Sequence, residues 1–175
     1  MTTARAGDAT ASSALPRDLA AALRGAGLSE VDDSPRRRAE YSTDASNYRV
    51  VPAVVVFPRH VEEAAAALDV ATRFGVPLTS RGGGTSIAGN SVGAGIVLDF
   101  SRHLNQVLSV DPEARTAVAE PGAILDDITV AAAGHGLRFG PDPSTHARAS
   151  IGGSDRKSTR LNSSHCVTSR MPSSA

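Results

Sequence analysis

Residues 81–90 read RGGGTSIAGN, a run of backbone almost bare of side chains. Gly82, Gly83 and Gly84 give up packing and cost conformational entropy when ordered, so a sequence that orders them needs a compensating partner. Backbone N–H groups there can converge on an anion, and the hydroxyls of Thr85 and Ser86 add donors. Two common phosphate loops fail on spacing. A G-x-G-x-x-G turn starting at Gly82 needs glycine at 87, where Ile87 stands, and the segment leads into a strand pattern instead of a helix. A G-K-[ST] ending needs a lysine that the segment lacks. A pyrophosphate cradle and a plain tight turn between two strands both stay open.

The other chemistry-bearing residues are dispersed. Asp142, between Pro141 and Pro143, could orient a ligand or cap a turn. Asp126 and Asp127 are adjacent on a helical pattern and point to different sides, so they do not form a carboxylate pair. His60, His103, His135 and His146 read as isolated surface or loop residues, and His165 beside Cys166 lacks the ligand count of a metal site. No catalytic residue and no metal ligand is assigned.

The elements that must carry the glycine loop are readable on both sides of it. Leu15, Leu19 and Leu23, with Ala22, mark a short amphipathic helix closed by glycine. Residues 31–52, with the arginines Arg36, Arg37 and Arg38, read as an ordered loop or arm with a solvated basic face. AVVVF at 53–57 is a strand buried on both faces and points to a parallel sheet. A helix follows Pro58, with Glu62 and Glu63 in its first turn, Gly75 as C-cap, and Val61, Ala65, Leu68 and Thr72 on one face. Residues 76–80 form a second strand, which completes a βαβ unit. GAGIVLDF is a third buried strand, QVLSV and RTAVAEPG a hairpin turning at DPEA, and residues 124–133 a helix; residues 137–153 read as loop.

Composition bounds the partners. Hydrophobic residues at 41% and charged residues at 21% describe a folding chain of 175 residues with one core. Zero formal net charge and 3% aromatics argue against nucleic acid, and no basic membrane-surface helix, signal peptide or long apolar span is visible, so a cytoplasmic setting is expected. Style changes at Ser154. Residues 1–153 hold 14 arginines, no lysine and 17 acids, whereas residues 154–175 hold the only lysine, the only cysteine and seven serines. Residues 154–175 are therefore expected to be a disordered tail, and the string RKSTRLNSSH resembles translated read-through sequence; residues 1–14 are also expected to be disordered.

Taken in order, YSTDASNYRVVP, AVVVFPRHVEEAAAAL, GVPLTSRGGGTSIAGN, IVLDFSR, VAEPGAILDDI and GLRFGPDPSTHARASIGG resemble the N-terminal half of the PCMH-type FAD-binding domain of the vanillyl-alcohol oxidase superfamily, in the D-lactate dehydrogenase and glycolate oxidase branch. The resemblance implies an α/β (α+β) fold, a small βαβ subdomain followed by the start of a second mixed sheet. It divides the chain into an arm with a short helix (1–40), the FAD-binding domain (41–153) and the tail. It implies that Arg81, Gly82, Gly83, Gly84, Thr85, Ser86, Gly89 and Asn90 wrap the FAD pyrophosphate, that Pro121 and Gly122 sit near the cofactor, and that Pro141, Asp142, Ser144, Ile151, Gly152 and Gly153 line the flavin end. Thr85 stands where some relatives carry a flavin-linking histidine, so the FAD is expected to be noncovalent. The implied activity is oxidation of a 2-hydroxy acid with electrons passed to an acceptor, in a parent protein whose substrate domain, and in some members an iron–sulfur module, would follow; oxidation of an aldonolactone, phenol or amino-sugar, as elsewhere in the superfamily, and a non-catalytic α/β anion-binding module are the alternatives. Membrane association of that parent is not indicated by these residues.

Overall fold

The structure, a computed structural model, describes residues 18–158 and 169–170, with side chains as far as Ser154. The readings for residues 1–17 and for His165 and Cys166 lie outside the described residues. Two sheets organise the rest. Helix α1 (Leu19–Gly25), strand β1 (Val31–Asp32), helix α2 (Pro35–Glu40), strand β2 (Val54–Val56), helix α3 (Val61–Phe74), strand β3 (Leu78–Arg81) and strand β4 (Ile96–Asp99) build the first. Its order is β1-β2-β4-β3, with β4 parallel to both β2 and β3 and β1 antiparallel at the edge.

The unbroken apolar runs have the physical cause expected of them. Along β2 and β4, Val54, Val56, Ile96 and Leu98 pack under α1 and α3 with Leu19, Leu23, Ala67 and Val70. Val55, Val97 and Phe57 point to the opposite face and pack against Tyr41. Covering both faces favours apolar residues along the strands, with the buried Asp99 at the end of β4 paired by hydrogen bonds, which is why the strands do not alternate. Helix α3 ends at Gly75 with φ +62°, the left-handed cap that glycine takes without strain.

Strands β5 (Val107–Asp111) and β6 (Thr116–Ala119) form the expected antiparallel hairpin, and helix α4 (Leu125–Ala133) packs on it through Leu125, Ile128 and Ala132. Helix α5 (Ile151–Ser158) follows, and strand β7 (Ser169–Arg170) adds to β6.

Four expectations differ from the structure. The packing face of α3 is Glu63, Ala67, Val70 and Ala71, while Val61 and Leu68 are exposed. The alanines spread apolar character around the helix, and small Ala67 and Ala71 let it approach the sheet more closely than the larger stripe. Arg36, Arg37 and Arg38 belong to a helix, α2, which the lack of an apolar stripe concealed. Ser34 caps it by accepting the Arg37 N–H at 3.3 Å, and Arg36 and Arg37 reach Glu40 at 2.9 and 2.7 Å. Helix α5 begins at Ile151, where a loop was expected, and crosses the composition break at Ser154. Its start is held by Ile151 N–H to Ala123 O and Gly152 N–H to Pro121 O, both 2.9 Å. Finally, Ser169 and Arg170 pair with β6 inside the serine-rich segment where no regular structure was expected.

Candidate functional site

The glycine loop leaves the C-terminal end of β3, beside the end of β4, and it faces a cleft of about 280 Å³. Clefts outside the carboxyl ends of parallel strands are the usual ligand position in open α/β sheets. Ten of the residues singled out from the sequence meet there: Arg81, Gly82, Gly83, Gly84, Thr85, Ser86, Asn90, Pro121, Gly152 and Gly153. They come from three separate stretches. Among the described residues, the N–H groups of Gly82, Gly83, Gly84, Thr85 and Ser86 donate to no other part of the chain. Five adjacent free amides lining one cleft are a donor set for an anion, since unpaired backbone donors seek a partner.

Space explains why glycine is required. A Cβ on Gly82 would collide with the Ser150 side chain, and one on Gly83 with the Arg148 carbonyl, so the loop lies directly against residues 148–150. Gly84, at φ +65°, additionally needs the left-handed conformation, and a Cβ there would lie 2.7 Å from Arg81 Nη2.

The other six singled-out residues lie elsewhere. Gly89, φ +72°, packs under the Tyr48 ring, and Gly122 sits on the Phe100 and Leu104 carbonyls beside a neighbouring cleft. Ile151 is buried in the second core. Pro141, Asp142 and Ser144 are exposed and outside the lining, whereas their neighbours Pro143 and Thr145 line it. Sequence reading passed over Ser80, Ser91, Phe100, Ala149, Ser150 and Ser154, which complete the wall. The small-residue string ASIGG was the available signal for Ser150, because only a short side chain fits against Gly82.

A buried polar network supports the loop from beneath. The Tyr41 hydroxyl donates to Asp99 Oδ2 at 2.6 Å, and the Ser101 N–H and hydroxyl donate to Oδ1 at 2.7 and 2.6 Å. Burial, with the Asp99 carboxylate as acceptor, pushes the Tyr41 phenol well above its ordinary range. The Arg81 guanidinium lies 4.9 Å from the Tyr41 ring centroid and donates to the carbonyls of Thr43 and Ser91 at 2.9 and 3.2 Å.

The histidines are less isolated than expected. His103 Nε2 lies 2.9 Å from Glu30, His60 Nδ1 3.0 Å from Glu62, and His146 Nδ1 2.6 Å from Asp126. These pairs join residues 20 and 73 positions apart in two of the three cases, which no local pattern could disclose. Among the described residues, no group of three or more His, Cys, Asp or Glu side chains could hold a metal, and no helix is long and apolar enough to cross a membrane.

The FAD binding domain family matches residues 52–156, which contain the whole cleft except for the arm beside it. The chain belongs to that family. It is 38% identical over 139 residues to D-2-hydroxyglutarate dehydrogenase of Pseudomonas putida, covering 75% of this chain and 14% of that protein. It is also 38% identical over 130 residues to glycolate oxidase subunit GlcD of Bacillus subtilis, covering 73% of this chain and 27% of that one. The chain thus spans between about a seventh and a quarter of these relatives. Among solved structures, an alkyldihydroxyacetonephosphate synthase superposes with a TM-score of 0.67 at 22% identity, covering 79% of this chain and 29% of that one. p-Cresol methylhydroxylase does so at 0.63 and 16%, covering 78% and 28%. The fold is therefore the mixed α/β fold of the PCMH-type FAD-binding domains.

The cleft fits part of that cofactor. At about 280 Å³ it lies just below the roughly 300–1,000 Å³ of pockets that enclose a whole ligand, and its free amides suit a diphosphate with the sugar carbons beside it.

Proposed function

We propose that this chain is the diphosphate-holding part of an FAD-linked oxidoreductase that oxidises a 2-hydroxy acid such as D-lactate, glycolate or D-2-hydroxyglutarate. The observation that carries the reading is the set of five N–H groups from Gly82 to Ser86, unpaired among the described residues, in a cleft where Gly82 and Gly83 leave no room for a Cβ. Named relatives at 38% identity support the substrate class: one is a D-2-hydroxyglutarate dehydrogenase and another a glycolate oxidase subunit.

Bound FAD would accept the hydride, and with it both electrons, that leaves the hydroxyl-bearing carbon. The chain's own work is binding and orientation. The loop amides donate to the diphosphate, Ser86 and Thr85 add hydroxyl donors, and Pro121 with Gly152 and Gly153 forms the opposite wall. Thr85 offers no nucleophilic ring nitrogen for a covalent link, so the FAD is held noncovalently. The hydroxy acid, its base and the electron acceptor are met by residues beyond these, and the site takes small molecules, not nucleic acid.

The test has two parts. The purified chain is titrated with FAD and flavin fluorescence is followed; saturable quenching is expected, and its absence refutes the cofactor assignment. The longest protein that the gene encodes is then mixed anaerobically with each hydroxy acid. Bleaching of the flavin by at least one is expected, whereas bleaching only by phenols or sugars refutes the substrate class.

A further inference from the structure

Residues 41–48 precede the family match, which begins at residue 52, yet they touch the glycine loop at several points. In the structure they hold the glycine loop at both ends and in the middle. The Ala45 N–H donates to Gly84 O at 3.1 Å. Asp44 Oδ2 accepts the Ser91 N–H at 3.3 Å, where the loop ends, while its Oδ1 accepts the Ser46 N–H at 2.9 Å. The Tyr48 ring covers Gly89, whose added Cβ would meet Cδ2 at 2.6 Å. The arm is itself closed by Val50 N–H to Ser42 O at 2.9 Å, and the Tyr41 hydroxyl fastens it to Asp99 at the end of β4.

Arg81 ties the two segments together from inside. Its Nη1 donates to Thr43 O in the arm and to Ser91 O at the far end of the loop, and its guanidinium rests over the Tyr41 ring. Residues 82–91 therefore fold around the guanidinium. Both bonds leave from Nη1, and together with the ring contact they fix where the guanidinium sits.

We propose that residues 41–48 clasp the glycine loop and hold it in the shape that receives a diphosphate, with Arg81 acting as a positioning residue through its Nη1 bonds to both segments. Such a clasp lowers the ordering entropy that binding must otherwise overcome, and so acts on affinity without touching the ligand. The inference rests on the FAD reading for its consequence, and on the clasp contacts alone for its geometry.

The experiment separates the two. Amide exchange at Ala45 is read without FAD in the wild-type chain and in Asp44→Ala, Tyr48→Ala, Arg81→Lys and Arg81→Gln, and FAD affinity is then measured for each. Exchange roughly tenfold faster, with FAD affinity roughly tenfold lower in both Asp44→Ala and Tyr48→Ala, is the expected result for losing one such contact. Arg81→Lys keeps the charge and loses the fork, so it is expected to fall as far as Arg81→Gln. Unchanged exchange, or faster exchange with unchanged affinity, overturns the clasp. An Arg81→Lys chain that binds as the wild type does while Arg81→Gln does not overturns the positioning role. If the wild-type chain takes up no FAD, the proposed function fails, and the exchange result alone then decides the clasp: faster exchange supports it and unchanged exchange overturns it.

Discussion

Replacing Gly83 by alanine tests the closeness of the glycine loop to its opposite wall. The added methyl would collide with the carbonyl oxygen of Arg148, and the carbonyl carbon lies 3.2 Å from it. Both are backbone atoms, so no side-chain rotation relieves the overlap. Either the loop or residues 143–149, which carry Pro143, Thr145 and Ala149 of the cleft wall, must move. Overpacking of this kind costs about 1–3 kcal/mol. If that cost falls on binding, FAD affinity drops by roughly 5- to 150-fold, at about 1.4 kcal/mol per tenfold. Gly134→Ala is the control. Gly134 sits at φ −60° with nothing within 4 Å of a Cβ, so alanine there should stabilise by about 0.4–1 kcal/mol and leave FAD binding alone. Urea melts and FAD fluorescence titrations on the two variants read both quantities. A Gly83→Ala chain with wild-type stability and wild-type affinity would show that Arg148 is not the wall.

Three further outcomes follow from the same contacts. Glu30 binds Arg59 at 2.7 Å, Arg102 at 3.0 Å and His103 at 2.9 Å, and the Arg59 hydrogen bond first among these holds its carboxyl at about 2. A depressed carboxyl stabilises the fold fully above about pH 4.5 and loses that contribution as pH falls towards 2. Because Arg59 and Arg102 are 56% and 43% exposed, the contribution is about 1–2 kcal/mol after screening; the urea-midpoint gap between wild type and Glu30→Gln should close over that pH range, and a constant gap refutes it. Leu23→Ala, at a fully buried position between α1 and α3, should cost about 2–5 kcal/mol in urea melts with FAD affinity unchanged, since Leu23 is not in the cleft lining. Tyr41→Phe leaves Asp99 Oδ2 without its donor and should cost about 1–3 kcal/mol; a melt superimposable on wild type would show that Asp99 does not need the phenol.

What could be read along the chain was what local chemistry decides. The runs at 54–56 and 96–99 could only be strands buried on both faces, and DPEA could only turn a hairpin. Helix α2 escaped because ion pairs and a Ser34 cap hold it, and these leave no apolar period. Helix α5 escaped because two glycines and a serine follow Ile151, and its start depends on carbonyls of Pro121 and Ala123.

The sequence by itself determined that a βαβ unit delivers a bare glycine loop to the end of a strand, because periodicity, caps and the missing lysine are all local facts. It also determined the family, since six segments keep their order across the chain. Tertiary structure alone decided that β4 inserts between β2 and β3, and that Ala67 and Val70, not Val61 and Leu68, face the sheet. It alone decided that Arg81 Nη1 bonds Thr43 and Ser91, and that Ser150 and Arg148 stand close enough to forbid a Cβ on Gly82 and Gly83. These are contacts between residues ten or more positions apart, set by how two sheets and an arm pack, and no period of 2 or 3.6 residues can encode them.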